Sequence, residues 1–240
     1  MPTRESRRAM SPPQLRLRGS YLTNRGAPPP HGSSLRRLVL SANRAVDKDW
    51  RRPYPRARTM NFCPQCGSRV ELRIPPGDNL ARHVCSACGA IHYENPRLVV
   101  GCVPEHDGRI LLCRRAIEPR RGYWTVPAGF MENGETLQQA AARESLEEAL
   151  AEVQIGSLLS VVHVLHAQQV HVFFRAALQA GSFGPGPESL EVELVRPQEI
   201  PWAEIAFPST DFTLRRYLED RAAGREQHYF TQVERRLPRP

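Results

Sequence analysis

Five glutamates and one arginine stand in Gly129–Ala151, GFMENGETLQQAAARESLEEALA. On a helix turning about 100° per residue, Glu144, Glu147 and Glu148 share one narrow arc, the i, i+3, i+4 positions that lie side by side. Like charges at those spacings repel by a few tenths of a kcal/mol each when solvated, and by more where water is excluded. A hard divalent cation relieves that repulsion. Mg²⁺ suits the role because it takes one or two carboxylates, several waters and the phosphate oxygens of a substrate. The plainer reading, a solvated acidic face, is the ordinary one for an isolated Glu-Glu pair.

The elements that must position these acids can be read around them. Thr136 followed three residues later by Gln139 fits a capping box, which starts a helix at residue 137 and carries it to about Leu150. Leu137, Ala140 and Ala141 share the acidic arc, while Ala142, Leu146, Ala149 and Leu150 make a second apolar stripe. The helix is therefore expected to be gripped on two sides. Trp124 and Pro127 read as packing beneath the turn that delivers the chain to Gly129.

A second set of chemical residues precedes the first. Cys63-Pro-Gln-Cys66-Gly67 is followed after eighteen residues by Cys85-Ser-Ala-Cys88-Gly89. Two Cys-x-x-Cys pairs at this distance fit a zinc ribbon, and four thiolates complete a tetrahedral Zn²⁺ with no open position, which makes the site structural. Strands are expected near Val70–Ile74 and Ala81–Val84. Cys102 and Cys113 fall inside apolar runs and read as core thiols.

Between and beyond these sets, Arg97–Pro104 and Arg109–Arg114 read as strands joined at Asp107-Gly108. Ser157–His166 and Gln168–Leu178 read as a second hairpin, Gly181–Pro187 as a loop, Leu194–Ile200 as a short strand and Thr210–Ala223 as a closing helix stopped by Gly224. His163, His166 and His171 lack the spacing of a metal cluster. They read as surface or ligand-contacting histidines.

The net charge of +8 is unevenly distributed. Residues 1–59 hold 14 Arg and Lys against 3 Asp and Glu, whereas residues 60–240 hold 19 against 22. The basicity belongs to the first segment, and the rest shows no nucleic-acid face. Residues 1–59, rich in Arg, Pro and Ser, bury too little apolar surface to offset their ordering entropy and are expected to be disordered. They read as upstream sequence before a start at Met60, as an organelle transit peptide, or as a basic arm. No run of 18 apolar residues marks a membrane span. The paired cysteines without an export signal suggest a reducing, cytoplasmic setting, or an organellar one if residues 1–59 are a transit peptide.

Gly129, Glu135, Arg143, Glu144, Glu147 and Glu148 together match the Nudix box at every spacing, and the chain resembles the Nudix hydrolases on that ground. Ser145 stands where the pattern has an aliphatic residue, and Leu150 where it has glycine. The cysteine pairs, YENPRLVVGC, WTVPAG and PGPESLE make the resemblance closest to the zinc-ribbon branch typified by plant chloroplast FAD pyrophosphatase. HVLHAQQVHVFF replaces the SQPWPF-like stretch of NADH pyrophosphatases.

This resemblance implies an α/β/α sandwich with a mixed sheet over residues 95–225. A zinc ribbon over 60–94 precedes it, and a loosely held tail over 226–240 follows. It implies Mg²⁺ or Mn²⁺ on Glu144, Glu147, Glu148 and the Gly129 carbonyl, with Arg143 orienting a glutamate and Zn²⁺ on Cys63, Cys66, Cys85 and Cys88. Arg115 or Arg114, with Glu188, is expected near a nucleotide substrate. The implied reaction cleaves a nucleoside diphosphate linked to another group, FAD to FMN and AMP foremost, with ADP-ribose or NADH as alternatives. Glu147 or a later acid would serve as general base, and a homodimer is a reasonable expectation. The reading from another class is a catalytically silent nucleic-acid-binding protein.

Overall fold

The computed structural model describes residues 60–179 and 183–233. The expectations for residues 1–59 fall outside that range. A small antiparallel sheet comes first, with β1 (Val70–Arg73), β2 (Arg82–Cys85) and β3 (Ile91–His92) in the order β1-β2-β3. An eight-stranded sheet follows, built from β4 (Arg97–His106), β5 (Arg109–Arg115), β6 (Trp124–Thr125), β7 (Ala128–Phe130), β8 (Val153–Val164), β9 (Gln169–Leu178), β10 (Ser189–Val195) and β11 (Tyr229–Val233). Its main path is β10-β5-β4-β9-β8-β11, with β6 on β5 and β7 on β4. The sheet is mixed, because β4 with β9 and β8 with β11 run parallel while the other pairs are antiparallel.

Two helices cover the two faces, α1 (Leu137–Ala149) and α2 (Pro208–Ala222). The period-2 alternation of the strands assigns side chains to each layer. Val100 and Cys102 of β4 and Val172, Phe174 and Ala176 of β9 pack with Ala140 and Ala141 of α1. Their neighbours Val103, Ile110, Leu112 and Phe173 pack with Leu214 and Tyr217 of α2. The result is the expected α/β/α sandwich. Burying each such side chain contributes on the order of 1.5–3 kcal/mol. The β4–β5 hairpin turns at Asp107 (φ 48°) and Gly108 (φ 78°), as an Asp-Gly turn requires.

Helix α1 begins as its sequence predicts. The Thr136 side chain accepts from Gln139 N–H, and the Gln139 side chain accepts from Thr136 N–H. Its packing differs from expectation, because in the second apolar stripe Leu146 and Leu150 are half exposed and only Ala149 is buried. The buried face is Ala140, Ala141, Glu144, Ser145, Glu148 and Ala149. Small residues let the helix approach the sheet, and two acids occupy the face that would otherwise be wholly apolar. Ser145 fits in place of an aliphatic residue because its hydroxyl donates to Ala141 O at 2.9 Å and meets the buried Cys102 sulfur at 3.2 Å.

Other boundaries moved for physical reasons. Strand β8 starts at Val153, four residues before the expected Ser157, because its ladder with β9 continues to Leu178. A short 3-10 turn, Leu165–Ala167, and left-handed Gln168 join the two strands. The strand expected at Leu194–Ile200 lies instead at Ser189–Val195, where it pairs with β5. Pro197, lacking an N–H, opens a 3-10 turn after it. The tail expected to be loose from residue 226 contributes β11, parallel to β8 from Ser160 to Val164. Asp220 explains its anchoring. This carboxylate is 1% exposed and accepts from Arg175, Arg225, Gln227 N–H and Tyr229. No helix among the described residues is long and apolar enough to cross a membrane.

Truncation after Arg225 should remove two of the donors to Asp220 and lower stability by about 1–3 kcal/mol. Denaturant unfolding of the truncated chain checks this, and an unchanged midpoint would show that β11 is dispensable.

Candidate active site

Strand β7 lies antiparallel to β4 with Gly129 opposite Val100, on the side of the sheet covered by α1. This register brings Gly129 against the middle of α1. A Cβ built on Gly129 would fall inside the Glu144 carboxylate, so only glycine permits that approach. One residue earlier, Ala128 N–H donates to Glu148 Oε2 at 3.0 Å.

Arg143 gathers three acids. Its Nε and Nη2 donate to Glu135 at 3.1 and 2.8 Å. Its Nη1 donates to Glu144 at 2.8 Å and to Glu147 at 2.9 Å, and Nη2 also reaches Phe130 O at 3.0 Å. Glu135 is fixed from the other side by Glu132 N–H. The Arg143 guanidinium, with the Glu132 amide second, holds the Glu135 carboxyl down at about 2. Glu144 and Glu148 are buried, whereas the Glu147 side chain is 58% exposed.

Burial pushes Glu148 up to about 7, against the Ala128 amide, and Glu144 and Glu188 push it in the same upward direction. Burial also raises Glu144, with Arg143 opposing. The folded state thus binds a proton at Glu148 more tightly than the unfolded chain. Between the unfolded value near 4.5 and about 7, stability falls as pH rises. A buried, mutually repelling pair of acids of this kind fits a divalent cation with oxygen ligands.

The structure separates the two arginines at the end of β5. Arg115 is 9% exposed, donates to Pro119 O at 2.9 Å, lies over Phe207, and acts electrostatically on Glu148. Arg114, the next residue along an alternating strand, faces away. It donates to Gly122 O at 3.0 Å and pairs with Glu191 at 3.3 Å. Glu188 sits just before β10, exposed, with its charge felt by both Glu144 and Glu148. Glu191 and Glu193 lie in β10 itself.

His171 is buried and bonded to Ser209 and Gln169, and its burial lowers it to about 4. Among the described residues the only metal-type cluster is the cysteine set. One feature escaped the sequence reading. Phe130 is 46% exposed beside the acids with the Arg97 guanidinium 4.5 Å from its ring centre. Its position directly after Gly129 was the available signal. A cavity of about 550 Å³ lined by Glu105, Arg175, Tyr217 and Asp220 contains none of the box acids.

In the small sheet, the four cysteine sulfurs lie within 4.8 Å of one another, with Cys63 to Cys88 at 3.8 Å and Cys66 to Cys85 at 3.4 Å. A tetrahedron with arms of about 2.3 Å has edges of about 3.8 Å, so the set fits Zn²⁺. Gly67 (φ 72°) and Gly89 (φ 73°) supply the left-handed turns beneath the sulfurs. Hydrogen bonds from Ser68, backbone before side chain, draw the Cys66 thiol down to about 6.

A sandwich with an arginine-tied glutamate helix, preceded by a four-cysteine ribbon, defines the Nudix architecture with its zinc-ribbon extension. The chain belongs to the Nudix family. Residues 95–217 match the NUDIX domain, and residues 61–94 match the N-terminal zinc ribbon of Nudix proteins. The crystal structure of a NUDIX hydrolase from Nitrosomonas europaea is 52% identical, covering 73% of this chain and all of that one, with a TM-score of 0.71. Similar curated proteins include the NAD-capped RNA hydrolase NudC of Vibrio cholerae, 39% identical over 46% of this chain and 38% of its own length. The protein of the same name from Salmonella typhi is 30% identical over 69% of this chain and 62% of its own. The chain thus spans less than two thirds of the length of these curated relatives.

Mn²⁺ should raise the melting temperature more at pH 8 than at pH 5.5, because Glu148 is protonated at the lower pH, and Glu148→Gln should remove the difference. Equal gains at both pH values would contradict the assignment. Metal analysis should find one zinc per chain, and Cys66→Ser should lose both the zinc and the folded ribbon. Zinc-free, well-folded protein would rule the ribbon reading out.

Proposed function

We propose that the chain hydrolyses the diphosphate of a nucleoside diphosphate linked to a second moiety, with FAD cut to FMN and AMP as the first candidate. The observation that carries this reading is the convergence of Glu135, Glu144 and Glu147 on Arg143, with Glu144 seated against Gly129. Such an arrangement keeps acids together that would otherwise repel one another apart. Glu144, Glu147 and Glu148, with the Gly129 carbonyl, would hold Mg²⁺ or Mn²⁺. An ion bound there supplies a lowered pKa for a coordinated water and neutralises charge on the diphosphate.

The remaining roles follow from the side chains' partners. Arg143 orients Glu144 and Glu147 without touching substrate, and Glu135 anchors Arg143. Arg115, close to Glu148 and buried on one side, would meet a diphosphate oxygen. Arg114 is committed elsewhere. Arg143 already engages Glu147, whereas Glu188 forms no side-chain ion pair among the described residues, so Glu188 is assigned to take the proton of the attacking water. Phe130, with Arg97 across its ring, offers an aromatic surface for a ring carried on the diphosphate. Attack at one phosphorus and loss of the other phosphate as leaving group yields two monoesters.

A second reading is supported by the relatives named NAD-capped RNA hydrolase, namely that the second moiety is nicotinamide-bearing. A panel of FAD, NADH, NAD⁺ and ADP-ribose with Mg²⁺ or Mn²⁺, read by product identity, separates the two. FAD should be cleaved fastest. Faster cleavage of NADH or NAD⁺ replaces the first reading with the second, and an uncut panel removes both. Glu148→Gln should lower turnover about a hundredfold or more with the fold retained, and near-normal turnover would take Glu148 out of the site.

A further inference from the structure

Helix α1 ends on Leu150, a leucine in the left-handed region (φ 48°) that side chains enter at a cost of about 1–2 kcal/mol. The carbonyls behind it are nonetheless engaged. Leu150 N–H bonds to Leu146 O, and Ala151 N–H to Ser145 O. The last two carbonyls are taken by a remote loop, with Gly186 N–H on Glu148 O at 3.0 Å and Gly184 N–H on Ala149 O at 2.8 Å.

Gly186 is the tightest point of this clamp. A Cβ there would overlap the carbonyl oxygen of Glu147. Pro185 and Pro187 flank it and restrict the backbone on both sides. Two residues further on, the Glu188 carbonyl accepts from Ala116 N–H at 2.8 Å, and Ser189 pairs with Arg115 at the end of β5. Glu188 is thus held between two backbone anchors, one on the exit of the acid helix and the other beside Arg115. Its charge reaches Glu144 and Glu148 from a separate element.

We infer that Gly186 is a positioning residue: by locking the Phe183–Glu188 loop onto the backbone of Glu147 and Glu148, it sets the Glu188 carboxylate opposite the acids of α1. This rests on the proposed divalent-cation site. The Pro-Gly-Pro-Glu sequence then has one purpose, to bring a fourth carboxylate to that site at a fixed distance.

The test is Mn²⁺ affinity of the full-length, zinc-loaded chain, followed by electron paramagnetic resonance, in wild type, Gly186→Ala, Glu188→Gln and the double variant. Each single change should weaken Mn²⁺ about tenfold, and the double variant should be no weaker than Gly186→Ala alone, because the clamp acts through Glu188. Multiplying effects, or an unchanged Gly186→Ala, would overturn the inference while leaving the cation site standing. Absence of Mn²⁺ binding in wild type would overturn both. If Gly186→Ala does not fold, Pro187→Gly, which loosens the loop at an exposed position without a clash, should weaken Mn²⁺ in wild type and do nothing in Glu188→Gln. Equal weakening in both backgrounds would likewise refute the clamp.

Discussion

Carboxylates one turn apart on a helix repel, and the geometry of this site depends on a single guanidinium that holds two of them, Glu144 and Glu147, together with Glu135 of the turn before. Arg143 spends its donors on Glu135, Glu144, Glu147 and the Phe130 carbonyl, and so joins helix α1, the turn before it and strand β7. The neighbouring contacts are consequences of that tie. Gly129 must lack a side chain because Glu144 occupies the space, and Ala128 supplies the amide that holds Glu148.

The remainder of the sandwich makes this arrangement rigid. Small residues on the inner face of α1 let it lie close over β4 and β9, so the buried acids are carried on a packed element rather than on a loop. Burial raises the proton affinity of Glu144 and Glu148 and makes the cation-free site costly at neutral pH. A site that is costly when empty is one that gains most from a divalent ion.

Much of this was legible in the sequence because it is local. The capping box at Thr136 and Gln139, the Asp107-Gly108 turn, the paired cysteines and the arc of acids all depend on residues within a turn or two of one another. The misread features depend on distant partners. Ala149 of the expected second stripe is buried against Leu111 and Leu178, but Leu146 and Leu150 remain half exposed. Strand β10 contains Glu191 and Glu193, poor strand formers, and exists because β5 offers it a ladder. Strand β11 follows a polar stretch and is tied down by a buried aspartate nine residues earlier. Arg114 and Arg115 differ only in strand parity, which a one-residue change of register would have reversed.

The central claim is that water, activated at the acids of α1, attacks a phosphoanhydride. It is tested most directly by running the reaction on FAD, NADH and ADP-ribose in ¹⁸O-labelled water with Mn²⁺ and weighing the products. The account predicts two phosphate monoesters with one heavy oxygen in one of them. Products without label, or a diphosphate left whole in every case, would contradict it.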